Sequence, residues 1–399
     1  MGRIAIAWEL GGGSGHIQYD LPIAKKLKER GHEVICIMKH VIDADRILGQ
    51  HGIQVLQAPV WQLKVKQLPN TYCYIETLFN HGYLVPGALL SMVKAWRNLF
   101  DLVRPDMVLL DHSPTALIAL RGLSVKKILY GQGFFSPPKQ NPMQSLIPWV
   151  KTPEGLLAFS EKKGLQVINS VLNHFGAPIL DKLSDLFAVD EDILTTFKEF
   201  DHYQSREQTR YWGVVISPPG GYFPDWPDVP FPKKIFCYLK SDYPGFENLL
   251  KILQQVEAAI IVYASGISNE QIRKFQAPNM LLLQEPVDIH RTCKESDMTV
   301  CHAGHGTIAI SLLYGKPLVL LPGHNHLEQI LAARNVALLK AGIMITTRNL
   351  KDYKKVIESV LSEAEFKKNA QAFAEKYKDF DSESQLEEIV DRCEEILNN

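Results

Sequence analysis

Two glycine-rich segments combine small residues with histidine in a pattern suited to binding an anion. The first is GGGSGH (11–16) and the second is CHAGHGT (301–307). Each follows a short apolar run and precedes a helical pattern, so each is predicted to connect a strand to a helix N-terminus. Free N–H groups at a helix N-terminus attract phosphate, and small residues let the backbone approach it closely. These segments are the first candidates for a functional site.

His16, which closes the first segment, is a candidate general base. The positive end of the helix dipole disfavours a charged imidazole at this position, so the ring stays neutral and able to accept a proton. A carboxylate would fix its tautomer and stabilise the imidazolium that forms. Asp111, at the end of the predicted strand DMVLLD (106–111), should lie at the same sheet edge. The alternatives are local: a hydrogen bond at the helix start for His16, and a helix N-cap for Asp111, for which Ser113 competes.

The second segment carries groups that could hold a diphosphate. His302 offers an imidazole donor and Thr307 a hydroxyl, while Ala303, Gly304 and Gly306 leave room for a pyrophosphate.

Two other chemistries fit these segments less well. His16 stands where a dinucleotide fingerprint needs its third glycine, and Lys39 and His40 follow the next strand where NAD enzymes carry an acidic residue. An NADP enzyme would still tolerate that basic pair. The histidines at 302, 305, 324 and 326 match no metalloprotease spacing, so no metal site is predicted. The acidic run at 190–192 is predicted to be a solvated helix start.

Apolar runs alternate with helical patterns in both halves of the chain, which predicts an α/β fold with two doubly wound parallel sheets. The predicted strands are 3–8, 33–38, 55–60, 106–111 and 126–133, then 234–239, 259–264, 280–283, 298–301 and 317–322. A proline-rich stretch separates the halves and suits a linker. The predicted domains are therefore 1–212, a linker at 213–233, a second domain at 234–375 and a C-terminal helix at 376–399.

Composition narrows the class of protein further. The 43 Lys and Arg balance 44 Asp and Glu, so no nucleic-acid partner is predicted. Six cysteines without a CxxC pair indicate reduced thiols. No signal peptide or membrane span is apparent, so we expect a cytoplasmic protein without stable membrane insertion. The stretch from Leu84 to Val103 could still rest on a membrane surface.

The segment 301–343 closely resembles the donor-binding motif of the large inverting glycosyltransferase family that includes plant, macrolide and glucuronosyl transferases. The shared positions are His302, Gly304, Gly306, Thr307, Gly315, Pro317, Pro322, Glu328, Gln329 and Gly342. The segment GHIQYDLPIAKKLKERGHEV also resembles the opening of that family. The resemblance implies a GT-B fold, in which two Rossmann-like domains face each other across a cleft.

The same resemblance implies roles for individual residues. His16 would be the catalytic base and Asp111 its partner, and Glu328 and Gln329 would bind sugar hydroxyls. Residues assigned to the nucleotide diphosphate are Gly13, Gly15, Val287, His302, Ala303, Gly304, His305, Gly306 and Thr307. Val287 lies in LLLQEPVDIH (281–290), where plant members carry the tryptophan and glutamine that contact the base.

Two departures from the family pattern bear on the donor and on the first helix. UDP-using members commonly place a glutamate where this chain has Ile310, and an apolar residue there fits a deoxyribose donor such as a dTDP-sugar, or a different ribose contact. The proline that usually follows the first histidine motif appears later, as Pro22, where it would fit the first turn of a helix that starts near Asp20.

The expected reaction is the transfer of a sugar, as in hexosyltransferases, from UDP or dTDP to a hydroxyl of a hydrophobic small molecule or a lipid. It would invert the anomeric carbon and need neither metal nor cofactor. Aromatic residues expected near the acceptor are Trp61, Tyr72, Tyr74, Phe79, Tyr83, Trp96, Phe134, Phe135 and Trp149, although core packing is the simpler explanation for each. A non-catalytic nucleotide-sugar-binding protein and a nucleotide-sugar epimerase remain alternatives, whereas the carboxylate pair of a glycoside hydrolase is not evident.

Overall fold

The computed structural model divides the chain into two compact units. It describes residues 1–12, 15–62, 71–203, 206, 209–216, 220–323, 326–345 and 352–399. Unit 1 comprises residues 1–197, 201–217 and 381–399, and unit 2 comprises residues 198–200 and 218–380. The predicted linker at 213–233 is thus shared between the units, and the C-terminal helix belongs to unit 1.

Unit 1 contains a parallel six-stranded sheet in the order β3-β2-β1-β4-β5-β6. Its strands are β1 (Arg3–Trp8), β2 (Glu33–Met38), β3 (Gln54–Gln57), β4 (Met107–Asp111), β5 (Lys126–Gly131) and β6 (Glu191–Leu194). Its helices are α1 (Gly15–Glu29), α2 (Val41–Leu48), α3 (Tyr74–Phe79), α4 (Pro86–Val103), α5 (Pro114–Ala119), α6 (Leu156–His174) and, at the C-terminus, α14 (Ser382–Asn398).

Unit 2 contains a second parallel sheet in the order β12-β11-β10-β7-β8-β9. Its strands are β7 (Lys234–Lys240), β8 (Ala259–Ser265), β9 (Met280–Leu283), β10 (Met298–Cys301), β11 (Leu318–Leu320) and β12 (Gly342–Met344). Its helices are α7 (Phe246–Leu253), α8 (Asn269–Phe275), α9 (Ile289–Glu295), α10 (His305–Leu313), α11 (Leu327–Leu338), α12 (Tyr353–Ser362) and α13 (Ala364–Lys376). A 3-10 turn at Lys198–Phe200 also packs within this unit.

The two sheets share one topology. Counted from the first strand of each unit, both have the Rossmann order 3-2-1-4-5-6. The chain therefore changes direction across the sheet between β1 and β4 in unit 1, and between β7 and β10 in unit 2. Ligands bind outside the carboxyl ends of the strands at such a switch point. This topology confirms the predicted α/β fold and places one candidate site in each unit.

Apolar side chains cover both faces of the first sheet. On one face, α4 contributes buried residues such as Trp96 and Phe100, and on the other, α1 contributes Ile17 and Leu27. Helix α14 joins the second cluster through Leu386, Ile389, Val390, Cys393 and Ile396. Burial of these side chains, at about 1.5–3 kcal/mol each, holds the C-terminal helix on unit 1. In unit 2, β7 and β8 pack against α7 and α12 in a third cluster.

Three local expectations are wrong. The acidic run at 190–192 does not start a helix, because Glu191–Leu194 pairs with β5 as the edge strand β6. Helix α1 begins at Gly15 rather than near Asp20, so Pro22 lies inside it. The strand expected at 55–60 already ends at Gln57. Within the residues described, no helix is long and apolar enough to cross a membrane.

Candidate active site

His16 and Asp111 meet at the switch point of unit 1. Asp111 ends β4 directly beside Trp8, the last residue of β1, and His16 lies in the first turn of α1. Nδ1 of His16 lies 2.5 Å from Oδ2 of Asp111. The side chains retain 12% and 2% of their exposure, so the imidazole remains reachable while the carboxylate is enclosed. Ser113, rather than Asp111, is the N-cap residue of α5.

The imidazole of His16 is held from two further sides. The ring of Trp8 stacks on it, with centroids 4.8 Å apart and planes 19° from parallel. Gly11, at φ +88°, lies so close that a Cβ on it would be 2.5 Å from Nε2. Since Nδ1 faces Asp111, the ring can accept a proton at Nε2. This orientation is what a general base supported by a carboxylate requires.

Two charged residues that the sequence did not assign to this site lie beside it. Lys39 follows β2, and its Nζ donates to the carbonyl oxygen of Gly11 at 2.5 Å. Glu9 follows β1 and is 1% exposed; its carboxylate accepts from Nε1 of Trp96 at 2.7 Å and from the backbone N–H of Thr115 at 2.5 Å. Burial raises the pKa of Glu9 to about 7, although these hydrogen bonds and the charge of Lys39 act in the opposite direction.

Asp20 is a fully buried acid one helical turn below His16. Neither of its carboxyl oxygens has a hydrogen-bond partner. Burial raises its pKa well above the ordinary value, and the nearby charge of Asp111 raises it further. The raised pKa favours the neutral, protonated form of Asp20.

His112 continues the chain after Asp111 in the left-handed region, at φ +42°. Its carbonyl oxygen accepts from the backbone N–H of Leu10 at 3.1 Å, which ties the loop after β4 to the loop after β1. Its ring stacks on Phe135 with centroids 4.9 Å apart. Burial lowers the pKa of His112 well below its usual value, as do the charges of His16, His81 and Lys39.

Most of the aromatic residues expected around an acceptor belong to the core of unit 1. Those that are buried are Tyr74, Phe79, Tyr83, Trp96, Phe134 and Phe135. Trp61 and Tyr72 are partly exposed, and Trp149 is 43% exposed. Core packing therefore explains six of these aromatic side chains.

In unit 2, His302 lies at the equivalent switch point, directly after β10. Its Nδ1 donates to the carbonyl oxygen of Leu321 at 3.0 Å, and its Nε2 accepts from the backbone N–H of Lys240 at 3.0 Å. Tyr243 packs against the ring, with centroids 4.3 Å apart. Both nitrogens are thus engaged with the ends of β7 and β11, so the expected imidazole donor to phosphate is not free in this structure. Burial lowers the pKa of His302, consistent with a neutral ring.

The backbone after His302 presents a helix N-terminus. Ala303 is buried in the left-handed region at φ +57°, and Gly304 is the N-cap of α10 without a capping side chain. The N–H groups of His305, Gly306 and Thr307 form the first turn, where an α-helix supplies no acceptor. A Cβ at Gly304 or at Gly306 would meet no atom within 4 Å. The loop therefore presents the backbone N–H groups of a helix N-terminus beside space that no described residue fills, as an anion site requires.

The remaining motif positions divide into two groups. Gly315, at φ +67°, and Gly342, where a Cβ would lie 2.3 Å from the carbonyl oxygen of Leu318, are required by the fold itself. Gln329 and Glu328 lie in the first turn of α11, and Gln329 accepts from the backbone N–H of Gly323 at 3.0 Å.

Two further expected nucleotide contacts lie in unit 2 and two in unit 1. Val287 is buried and forms a bridge with Tyr222, while Ile310 is buried inside α10. In unit 1, Gly15 opens α1 next to unfilled space, with nothing within 4 Å of an added Cβ. Gly13 and His324 lie outside the described residues.

Part of this chain matches a protein-family model, and its fold is similar to those of several solved structures. Residues 251–392 match the glycosyltransferase family 28 C-terminal domain. No curated protein sequence matches the chain. The calicheamicin glycosyltransferase CalG4 shares the fold with a TM-score of 0.72 at 16% identity, over 100% of this chain and 98% of that one. The spinosyn rhamnosyltransferase SpnG complexed with thymidine diphosphate gives 0.66 at 14% identity, over 98% and 100%. SnogD from Streptomyces nogalater gives 0.63 at 15% identity, over 97% and 98%.

At these identities the structural likeness establishes the fold, and the family match shows that residues 251–392 are similar to a glycosyltransferase domain. Together they define the class of protein as a glycosyltransferase with the GT-B fold. The chain is accordingly an enzyme that transfers a glycosyl group.

Proposed function

We propose that this enzyme transfers a sugar from a UDP- or dTDP-sugar to an acceptor hydroxyl, with inversion at the anomeric carbon. The observation that carries the proposal is the 2.5 Å pairing of His16 with the enclosed carboxylate of Asp111. His16 removes the proton of the acceptor hydroxyl at Nε2, the oxygen attacks the anomeric carbon, and the bond to the diphosphate breaks. Asp111 holds the ring and stabilises the imidazolium that forms.

The donor diphosphate binds at the N-terminus of α10. Its supporting evidence is the uncapped first turn and the open space beside Gly304 and Gly306. Backbone N–H groups stabilise the negative charge that develops on the leaving diphosphate. His302 acts here by fixing the loop, since both its nitrogens are bonded to the backbone. Because these groups take up the charge, the mechanism calls for no divalent metal, and activity should persist in EDTA.

The nucleotide base and ribose bind near Val287 and Ile310. Ile310 occupies the position of the glutamate that commonly binds ribose hydroxyls in UDP-using members, and its side chain is buried and apolar. This favours a deoxyribose donor, and the similar SpnG structure is described as complexed with thymidine diphosphate. Glu328 and Gln329 are proposed to bind sugar hydroxyls. The acceptor, a hydrophobic small molecule or a lipid, binds to unit 1 in the cytoplasm.

The decisive experiment compares turnover with nucleotide binding. The purified protein is titrated calorimetrically with UDP and dTDP without metal, and His16→Ala is assayed for sugar transfer. We expect the variant to bind nucleotide like the wild type and to lose transfer by at least a hundredfold. Unchanged transfer would refute the role of His16. Nucleotide binding without turnover in the wild type would indicate a binding protein, and conversion of the donor without an acceptor would indicate an epimerase.

A further inference from the structure

Lys39 is linked to the surroundings of His16 through Gly11. It follows Met38, which pairs with Trp8 at the end of β1. Its Nζ donates to the carbonyl oxygen of Gly11, and Gly11 is the residue that contacts Nε2 of His16. Gly11 therefore connects the ammonium group of Lys39 to the Nε2 side of the imidazole.

The ammonium group of Lys39 has no carboxylate within ion-pair distance among the residues that the structure describes. The carboxylate of Glu9 accepts hydrogen bonds from Nε1 of Trp96 and from the backbone N–H of Thr115 instead. An ammonium carries three N–H donors, and the bond to Gly11 uses one of them. Lys39 is partly buried, and Gly11 is the hydrogen-bond partner of its ammonium group among the described residues, so two donors are available to a ligand. An anionic ligand would accept hydrogen bonds from these two donors.

The surroundings of Lys39 leave room for such a ligand and offer no competing cation. A Cβ at Gly12 or at Gly15 would meet no atom within 4 Å. Burial and the charge of Lys39 lower the pKa of His81 to about 4 and lower that of His40. The lowered pKa values favour neutral imidazoles here, so Lys39 is the source of positive charge among these residues, although burial lowers its own pKa too.

We propose that Lys39 binds an anionic group, a carboxylate or a phosphate, on the acceptor whose hydroxyl is deprotonated by His16. The inference rests on the proposed function and specifies its acceptor class. An anion held by Lys39 would anchor the acceptor next to Nε2, and charge-assisted hydrogen bonds are the strong ones. It also gives a role to Lys39, which the glycosyltransferase motif leaves unexplained.

The test uses three phenols that differ in one group. Binding of 4-hydroxybenzoate, 4-hydroxyphenyl phosphate and the neutral 4-hydroxybenzamide is measured by calorimetry with the full chain. The same titrations are made with Lys39→Met, with Lys39→Arg and with Lys25→Met, a lysine of α1 outside the site. We expect wild type and Lys25→Met to prefer at least one anionic phenol over the amide by about tenfold or more. Lys39→Met should lose this preference and Lys39→Arg should keep part of it.

Comparison of the two anionic phenols shows whether a carboxylate or a phosphate is preferred, because the preferred group gives the higher affinity. Equal binding of all three phenols, binding of none, or a preference that survives in Lys39→Met would overturn the proposal. Circular dichroism checks that each variant folds. Binding of UDP and dTDP, measured separately, depends on unit 2. A Lys39-dependent preference in a protein that binds neither nucleotide would therefore retain the anion subsite and reject the donor assignment.

Discussion

Gly11 and His16 fit together so closely that a Cβ on residue 11 would lie 2.5 Å from Nε2 of the imidazole. Gly11 also adopts φ +88°, which side-chain-bearing residues rarely do. With Asp111 on the Nδ1 side and Trp8 across the ring face, the imidazole is enclosed by parts of both β1 and β4. Its orientation is therefore set by the sheet rather than by α1 alone.

Gly11→Ala should lower the turnover number for sugar transfer by about a hundredfold, because the new methyl group displaces a positioned catalytic base. Nucleotide binding should not change, since the donor loop belongs to unit 2. Gly87→Ala in the first turn of α4 is the matched control, because an added Cβ there meets no described atom within 4 Å. Steady-state kinetics and calorimetry measure both effects. Equal activity of the two alanine variants would contradict this view of His16.

Asp111→Asn should reduce the turnover number by about 10²–10⁴-fold, because the amide can neither select the tautomer nor stabilise the imidazolium. The fold should survive, since the replacement has the same shape. Asp43→Asn, which alters an exposed pair with Arg46, serves as control and should retain full activity. The measurement is the pH profile of turnover for all three proteins. An Asp111→Asn enzyme within threefold of the wild type would exclude the carboxylate from catalysis.

Alanine substitutions in the donor motif should either weaken nucleotide binding or lower stability, depending on the glycine replaced. Gly304→Ala and Gly306→Ala place a methyl group in open space, so stability should stay within about 1 kcal/mol of the wild type. Their affinity for UDP or dTDP should nevertheless fall at least tenfold, because the methyl group occupies the space proposed for phosphate.

Gly342→Ala should show the opposite pattern. Its Cβ would lie 2.3 Å from the carbonyl oxygen of Leu318, so the edge of the sheet must distort and thermal stability must drop. Differential scanning fluorimetry and nucleotide titration on the three variants provide the comparison. Unchanged nucleotide affinity in Gly304→Ala and Gly306→Ala would refute the proposal that this loop binds the phosphates.

The fold was predictable from sequence because its strands are buried on both faces and form continuous apolar runs. RIAIAW and MTVC illustrate this, and both are strands at the positions expected. Strand β6 was not predicted because its sequence, EDIL, begins with two acidic residues. One of them, Glu191, pairs with Arg392 of α14, which lies 201 residues further along the chain. A contact that distant leaves no local pattern.

The candidate site was only partly predictable. The spacing of glycines and histidines identified His16, Asp111 and the loop after β10. Glu9, Lys39 and Asp20 were missed because their importance depends on burial and on neighbours from other strands. The hydrogen bonds of His302 to Lys240 and Leu321 could not be predicted for a related reason, because they depend on three adjacent strand ends.

One contribution to the stability of unit 1 should fall as the pH is lowered below about 6.5, and it comes from His81, whereas Glu9, whose pKa is raised to about 7, contributes in the opposite direction. Burial lowers the pKa of His81 from 6.5 to about 4, so between these values the unfolded chain binds a proton that the folded chain does not. The contribution of His81 to the free energy of unfolding therefore decreases with falling pH, by about 2 kcal/mol between pH 7 and pH 5. His112, whose pKa is also lowered by burial, acts in the same direction.

His81→Gln should remove this contribution, because glutamine takes up no proton, so the change in the free energy of unfolding from pH 7 to pH 5 should be about 2 kcal/mol more favourable than in the wild type. Urea unfolding followed by tryptophan fluorescence at pH 7 and pH 5 measures the difference, since Trp8 and Trp96 are buried in unit 1. Lys25→Met is again a suitable control, because it leaves the histidines intact. If wild type and His81→Gln lost the same free energy between the two pH values, the imidazole of His81 would have to be solvated, and the neutral surroundings inferred for Lys39 would have to be revised.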